Sequence, residues 1–278
     1  MYLKDALQRY VVSLHVRAKE STVKQAEFHQ SVLERCLWNR PVTALRPSHI
    51  DAFITARRDE GVSDATINGS LRVLRAAIRL AAEEEGRKPL RIRMLKTTKK
   101  LPSVLTADEF RRLLNEAGHS RARLAILFAA KMGLRHQEIL HLRWSDVDSR
   151  EVRIVAKDGW SPKSHEERVV PMHPDVWPSV WAWGSHEKTP EDWIFEGQDG
   201  RPVKSLETQV RGVFEAAGLY DKKRKPGLHM LRRTWATNLL AHADIETVRQ
   251  LGGWSNLEVV QRYVTSTDAR KRAAIEQL

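Results

Sequence analysis

Leu3, Leu7, Tyr10, Val11 and Leu14 return at helical spacing among polar neighbours, so the chain opens on an amphipathic helix. Ser21-Thr22 opens a second helix toward Leu37, and Pro41 and Pro47 then interrupt the pattern. Ser48 is placed to cap a short helix through Ile54 and Ala56, and Ser63-Asp64 to cap the next, from Ala65 to about Glu84. Four helices in so short a stretch predict an all-α first unit, residues 1–85. On the last helix Leu71, Leu74, Ile78 and Ala81 form an apolar stripe, beside a basic one of Arg72, Arg75 and Arg79.

Gly86 and Pro89 end that helix, and no apolar period resumes until Pro102 and the capping signal Thr106-Ala107-Asp108-Glu109. Helices are predicted over about 107–117 and 121–132. Period-two alternation at Glu151 to Val155 and Glu167 to Val170 predicts strands, and Trp193 to Phe195 a further one. Helical spacing resumes near Lys204 and covers 228–241, 244–251 and 256–264. The expected fold class is mainly α with a small antiparallel β-sheet: an all-α domain, a linker at 86–102 and an α+β domain at 103–278.

Charge changes this picture more than composition does. The 278 residues carry a formal +12, of which +9 falls in residues 1–100 and +3 in the rest. A concentrated positive sign favours a polyanionic partner, nucleic acid being the usual one. The linker holds Arg87, Lys88, Arg91, Arg93, Lys96, Lys99 and Lys100 with no acidic residue up to position 100. With Arg72, Arg75 and Arg79 it forms the candidate phosphate-facing surface, the alternative being solvated arginines on an ordinary exposed helix. No apolar run approaches the roughly 20 residues that span a bilayer, and the start lacks a secretory pattern, so a cytoplasmic, DNA-associated protein is expected. The single cysteine, Cys36, suits a small core position.

The second half carries chemistry. Arg135 follows Gly133-Leu134, with Glu138 one turn on; Lys163 lies between the two predicted strands; His229 and Arg232 share a helix face; Trp254 ends Leu251-Gly252-Gly253-Trp254; and Tyr263 lies on the closing helix. A phenol, with an ordinary pKa of about 10, attacks a phosphodiester only when the phosphate charge is neutralised. Paired guanidiniums suit that task, a lysine can protonate a departing alkoxide, and a histidine exchanges protons near neutral pH. Each residue alone has a plainer reading: a surface ion pair for Arg135 and Glu138, a solvated hairpin tip for Lys163, core aromatics for Trp254 and Tyr263. No phosphate-binding Gly-rich loop, His-Glu-x-x-His or carboxylate cluster is present, so no cofactor and no metal are expected.

Gly133-Leu134-Arg135-His136-Gln137-Glu138-Ile139, with Leu142-Arg143-Trp144-Ser145-Asp146-Val147-Asp148 after it, resembles the first signature box of the tyrosine recombinases, the phage integrase family. His229-Met230-Leu231-Arg232 resembles its His-x-Leu-Arg box, and Leu251-Gly252-Gly253-Trp254 with Tyr263 its final box. The family's lysine falls at Lys163, ahead of Arg168-Val169-Val170-Pro171. The resemblance implies a helical core-binding, SAM-like domain and an integrase-type catalytic domain. It implies that Arg135, His229 and Arg232 cradle the scissile phosphate of duplex DNA, that Lys163 is the general acid, and that Tyr263 forms a 3′-phosphotyrosyl link. It further implies a homo-tetramer exchanging strands through a Holliday junction, with accessory bending or directionality factors. Many members carry a second histidine where this chain has Trp254, for which the expected role is indole donor and packing. The tail, 264–278, is expected to pack as a small helix on a neighbouring protomer, the alternatives being a frayed end or a helix docked on its own domain. A type IB topoisomerase and a non-catalytic DNA-binding protein of the same fold are the alternatives.

Overall fold

The computed structural model of the protein describes residues 1–97, 103–163, 166–184, 188–224, 226–264 and 275–276. They form two compact units, Met1–Lys99 and Lys100–Leu278.

The first unit comprises α1 (Leu3–Arg17), α2 (Glu20–Cys36), α3 (Pro47–Asp59) and α4 (Asp64–Glu84). The long α4 is its spine, because Leu71, Leu74, Ala77, Ile78 and Ala81 bury one whole face against α1 and α2. Leu3, Leu7, Leu33, Phe53 and Ile67 complete the core. The His29 ring of α2 crosses α4 directly over Gly69, where a Cβ would collide with it, and its Nδ1 lies 3.0 Å from Ser70 Oγ. α3 begins at Pro47 with Arg46 as its N-cap, not at Ser48, because the fixed φ of proline suits the first helical turn.

The linker boundary also moves. Ile92 is buried, Leu90, Met94 and Leu95 pack on the same core, and the Asn68 amide pins Leu95 from both sides: Nδ2 donates to Leu95 O (3.0 Å) and Leu95 N donates to Oδ1 (2.8 Å). The first part of the expected linker is therefore folded onto the first unit. Residues 98–102, with Lys99 and Lys100, lie outside the described residues.

The second unit is built on α6 (Arg121–Lys131), whose Leu124 to Ala129 are buried all round; α5 (Ala107–Ala117), α9 (Glu207–Ala216) and α10 (Leu228–Leu239) complete its core. The Thr106–Glu109 capping box starts α5 as its sequence predicts. Short α7 (His136–Leu140) follows α6, and β1 (Glu151–Ile154) pairs antiparallel with β2 (Arg168–Pro171) in the register Glu151↔Pro171 to Ile154↔Arg168. Trp193 to Phe195 is not a strand of this sheet; it makes a single bridge, Arg143↔Trp193, and isolated bonds to Leu142 and Val203. α8 (Trp177–Ala182) forms in a stretch whose Trp and Pro content hides it from the helical pattern. α11 (Ile245–Gly252) and α12 (Leu257–Gln261) close the described fold, each capped by a side chain, Asp244 and Asn256. Most of the expected tail element lies outside the described residues.

Candidate active site

Two glycines shape the backbone around the candidate residues. Gly133 (φ +67°) ends α6, and a Cβ there would strike the Trp235 indole. Gly253 (φ +62°) is the left-handed cap of α11, and a Cβ there would stand 2.7 Å from Arg168 Nη1. Both turns place carbonyls where guanidiniums reach them.

Glu138 is the hub, with 1% of its surface exposed. Arg135, the N-cap residue of α7, donates Nη1 to Glu138 Oε1 (2.6 Å) and its backbone N to Oε2 (2.8 Å). Arg168, at the start of β2, grips both carboxylate oxygens, at 2.9 and 2.7 Å. Arg232 Nη1 stands 3.9 Å from Oε2. Burial alone would raise the Glu138 pKa; Arg168, Arg135 and Arg232 overcome it and hold the carboxylate at about 2. Three cations around one anion leave a net +2 in a largely dry cluster.

The same arginines meet three consecutive carbonyls at the end of α11. Arg168 Nε donates to Leu251 O (2.8 Å), Arg232 Nη2 to Gly252 O (2.6 Å) and Arg135 Nη2 to Gly253 O. Helix C-terminal carbonyls lack intrahelical donors and carry partial negative charge, so guanidiniums satisfy both needs. Arg232 also donates to Gly133 O, and only 3% of its surface is exposed. Burial, with Arg135 and Arg168 nearby, loosens its hold on its proton, while Glu138 and Tyr263 oppose that loss.

Trp254 presents a ring face to Arg232: Arg232 Cζ lies 4.2 Å from the ring centre, Trp235 stacks at 6.0 Å and Tyr263 lies 5.6 Å away at 42°. Tyr263 follows α12 and is 8% exposed. His229, in the first turn of α10, faces solvent with part of its ring, yet its pKa falls to about 4. Partial burial lowers it first, then the charges of Arg233, Arg232, Arg135 and Lys163. Lys163 is exposed in the connection between β1 and β2, within electrostatic reach of His229. Its neighbour Ser164 lies outside the described residues. Arg135, Glu138, His229, Arg232, Trp254 and Tyr263 are thus gathered in one place, with Lys163 at its edge. The sequence patterns do not single out Arg168 or Trp235 as site residues. Arg168 has one signal, its place just beyond the lysine at the start of a strand.

The candidate DNA-facing residues belong to the first unit. Arg72, Arg75, Arg79, Lys88, Arg91 and Arg93 are exposed, and Arg87 is half-buried. Arg75, Arg79, Arg91 and Arg93 line a cleft of about 640 Å³ floored by Pro89, Leu90, Ile92 and Met94. At the end of the basic stripe of α4, Arg79 pairs with Glu83 (2.7 Å), and Arg87 pairs with Glu85. Among the described residues no helix is long and apolar enough to cross a membrane, and no His, Cys, Asp and Glu cluster suits a metal.

The phage integrase family profile matches residues 103–270. The chain is 29% identical over 233 residues to the tyrosine recombinase XerA of Thermococcus onnurineus (strain NA1), an alignment covering 81% of this chain and 79% of that protein. Its fold is similar to that of the Tn1549 transposon integrase in complex with transposon right end DNA (TM-score 0.80, 19% identity, 98% of each chain covered). It is also similar to a lambda integrase tetramer bound to a Holliday junction (TM-score 0.79, 21% identity, 96% of this chain and 80% of that one).

Proposed function

We infer, because the chain belongs to the phage integrase family, that it is a site-specific recombinase that cleaves and rejoins duplex DNA through Tyr263. The observation that carries this reading is the cluster of Arg135, Arg168 and Arg232 around Glu138, with Tyr263 held beside it on Trp254. A net +2 site shielded from water is a receptor for an anion that gains charge as it reacts, and a pentacoordinate phosphorane is such an anion.

In the proposed step Tyr263 Oη forms a bond to the scissile phosphorus and the bond to the 5′ oxygen breaks, leaving a 3′-phosphotyrosyl link. Arg135 and Arg232 hold the non-bridging oxygens, each guanidinium having donors aimed in a fixed fork. The phenolic proton passes to His229, which is unprotonated near neutral pH, and Lys163 gives a proton to the departing 5′ oxygen. Rejoining reverses each transfer, so the phosphodiester's free energy is conserved and no nucleotide is consumed. Trp254 supports Arg232 and Tyr263 through its ring face.

The basic first unit, Arg72 to Arg79 and Arg87 to Arg93, is proposed to grip the DNA backbone, and four protomers to exchange strands through a Holliday junction. The lambda integrase tetramer supports the assembly. The rival readings, a type IB topoisomerase or a non-catalytic DNA-binding protein, draw no support from relatives named as recombinases.

The test is a nicked duplex, selected from a randomised pool by binding to the protein, incubated and resolved under denaturing conditions. A covalent adduct that is lost in Tyr263→Phe is expected; an adduct that survives the change would sink the assignment. Arg135→Ala and Arg232→Ala should keep duplex affinity and lose about 10²- to 10³-fold in adduct formation, the usual cost of removing one such donor.

A further inference from the structure

We propose that Arg168 is a positioning residue for this reaction: it takes up the charge of Glu138, so that Arg135 and Arg232 keep theirs for the phosphate. The inference rests on the reading of Tyr263 as the nucleophile.

Glu138 is a single buried carboxylate that three guanidiniums approach, and it does not divide itself evenly. Arg168 takes both oxygens in a bidentate pair, whereas Arg135 has one side-chain bond to Oε1 and Arg232 stands at ion-pair distance only. A bidentate pair is the strongest and most directional form this interaction can take. Without Arg168 the carboxylate would draw Arg135 into that place, and the cation meant for the phosphate would be spent on a permanent neighbour. The charge balance agrees: with Arg168 the cluster carries +2, and without it +1, for the same phosphate charge.

Arg168 also fixes where the others stand. Its Nε holds Leu251 O at 2.8 Å, so one side chain links β2, α7 and the end of α11, the elements that supply Glu138 and the carbonyls beside Arg232 and Arg135. The close approach of Nη1 to Gly253 shows how little room the guanidinium has to move. It occupies the first position of β2, directly after the connection that carries Lys163. Its Nε, Nη1 and Nη2 are all engaged by Leu251 O and the two Glu138 oxygens, so its part is support rather than a direct hold on DNA.

A neutral substrate separates this role from simple folding. Two duplexes are compared, one with an ordinary scissile phosphodiester and one with a methylphosphonate there, whose missing negative charge removes most of the need for cationic neutralisation. Arg168→Gln should form adduct about 10- to 100-fold more slowly on the phosphodiester, the range typical of support residues behind a charged centre. Its duplex affinity should be unchanged, and its deficit on the methylphosphonate much smaller. Arg168→Lys keeps the charge but cannot span both oxygens and Leu251 O; if the glutamine variant does not fold, it is expected to show the same selective deficit in weaker form. Equal loss on both duplexes, or no loss, would overturn the inference while leaving the role of Tyr263 intact. Absence of adduct from the unaltered protein on either duplex would overturn the Tyr263 reading and this inference with it.

Discussion

Glu138 shows how one residue sets the conditions for its neighbours. Its pKa falls from 4.5 to about 2, a depressed carboxylate, so the stability it contributes is fully present above 4.5 and is lost as pH falls through 2. A shift of this size on a group with 1% exposure corresponds to something on the order of 3 kcal/mol. Denaturant unfolding followed against pH should show a large deficit for Glu138→Gln at neutral pH that narrows between pH 4.5 and 2; a deficit independent of pH would refute this. The residue types are legible in the sequence, because Arg135, Glu138, His229, Arg232 and Tyr263 are spaced as local helical neighbours or family boxes. The bond from Arg168 to Glu138 is not, since 30 residues separate them and strand register decides which side chain turns inward. Nor is the orientation of Trp254: sequence names an indole without its rotamer, and here the face beneath Arg232 is the part in use.

The hairpin of β1 and β2 is the element that carries Lys163, the proposed general acid. Its base is anchored to the segment after α7 by the His141 and Trp160 stack (4.6 Å, 6°), by Arg143 with Asp158, and by Lys157 with Asp146. Asp158 and Gly159, both with positive φ, make the tight reversal that returns Trp160 to Lys157. An exposed lysine is thus carried on a connection that is fastened at its root. Lys163→Ala should slow cleavage of an ordinary phosphodiester by about 10²- to 10⁴-fold. With a 5′-bridging phosphorothiolate, whose sulfur departs without a proton, the rate should recover; failure to recover would assign Lys163 another role. Elements with a strong local signal are readable: α5 and α6 have cap residues and an apolar period that agree with the fold. The segment Trp193 to Phe195 misleads, because its alternation reflects one isolated bridge to Arg143 and single hydrogen bonds to Leu142 and Val203 rather than a ladder.

At the scale of the whole molecule, charge and chemistry are divided between two units. The excess of +9 lies in residues 1–100, and the catalytic candidates lie beyond 132. Affinity and rate should therefore be separable. Replacing Arg75, Arg91 and Arg93 by alanine should weaken duplex binding and reduce the steepness of its salt dependence by about 0.9 in the log–log slope for each phosphate no longer neutralised. Adduct formation at saturating protein should be unchanged; an unaltered slope would show that this cleft does not meet DNA.

The turn at Leu251-Gly252-Gly253 works like a three-pin connector, each carbonyl accepting one arginine in strict succession. Such a part tolerates neither a side chain at its two glycines, where a Cβ would strike Trp254 or Arg168, nor a change of length. One inserted or deleted residue would offer every arginine the wrong socket, three faults from a single codon.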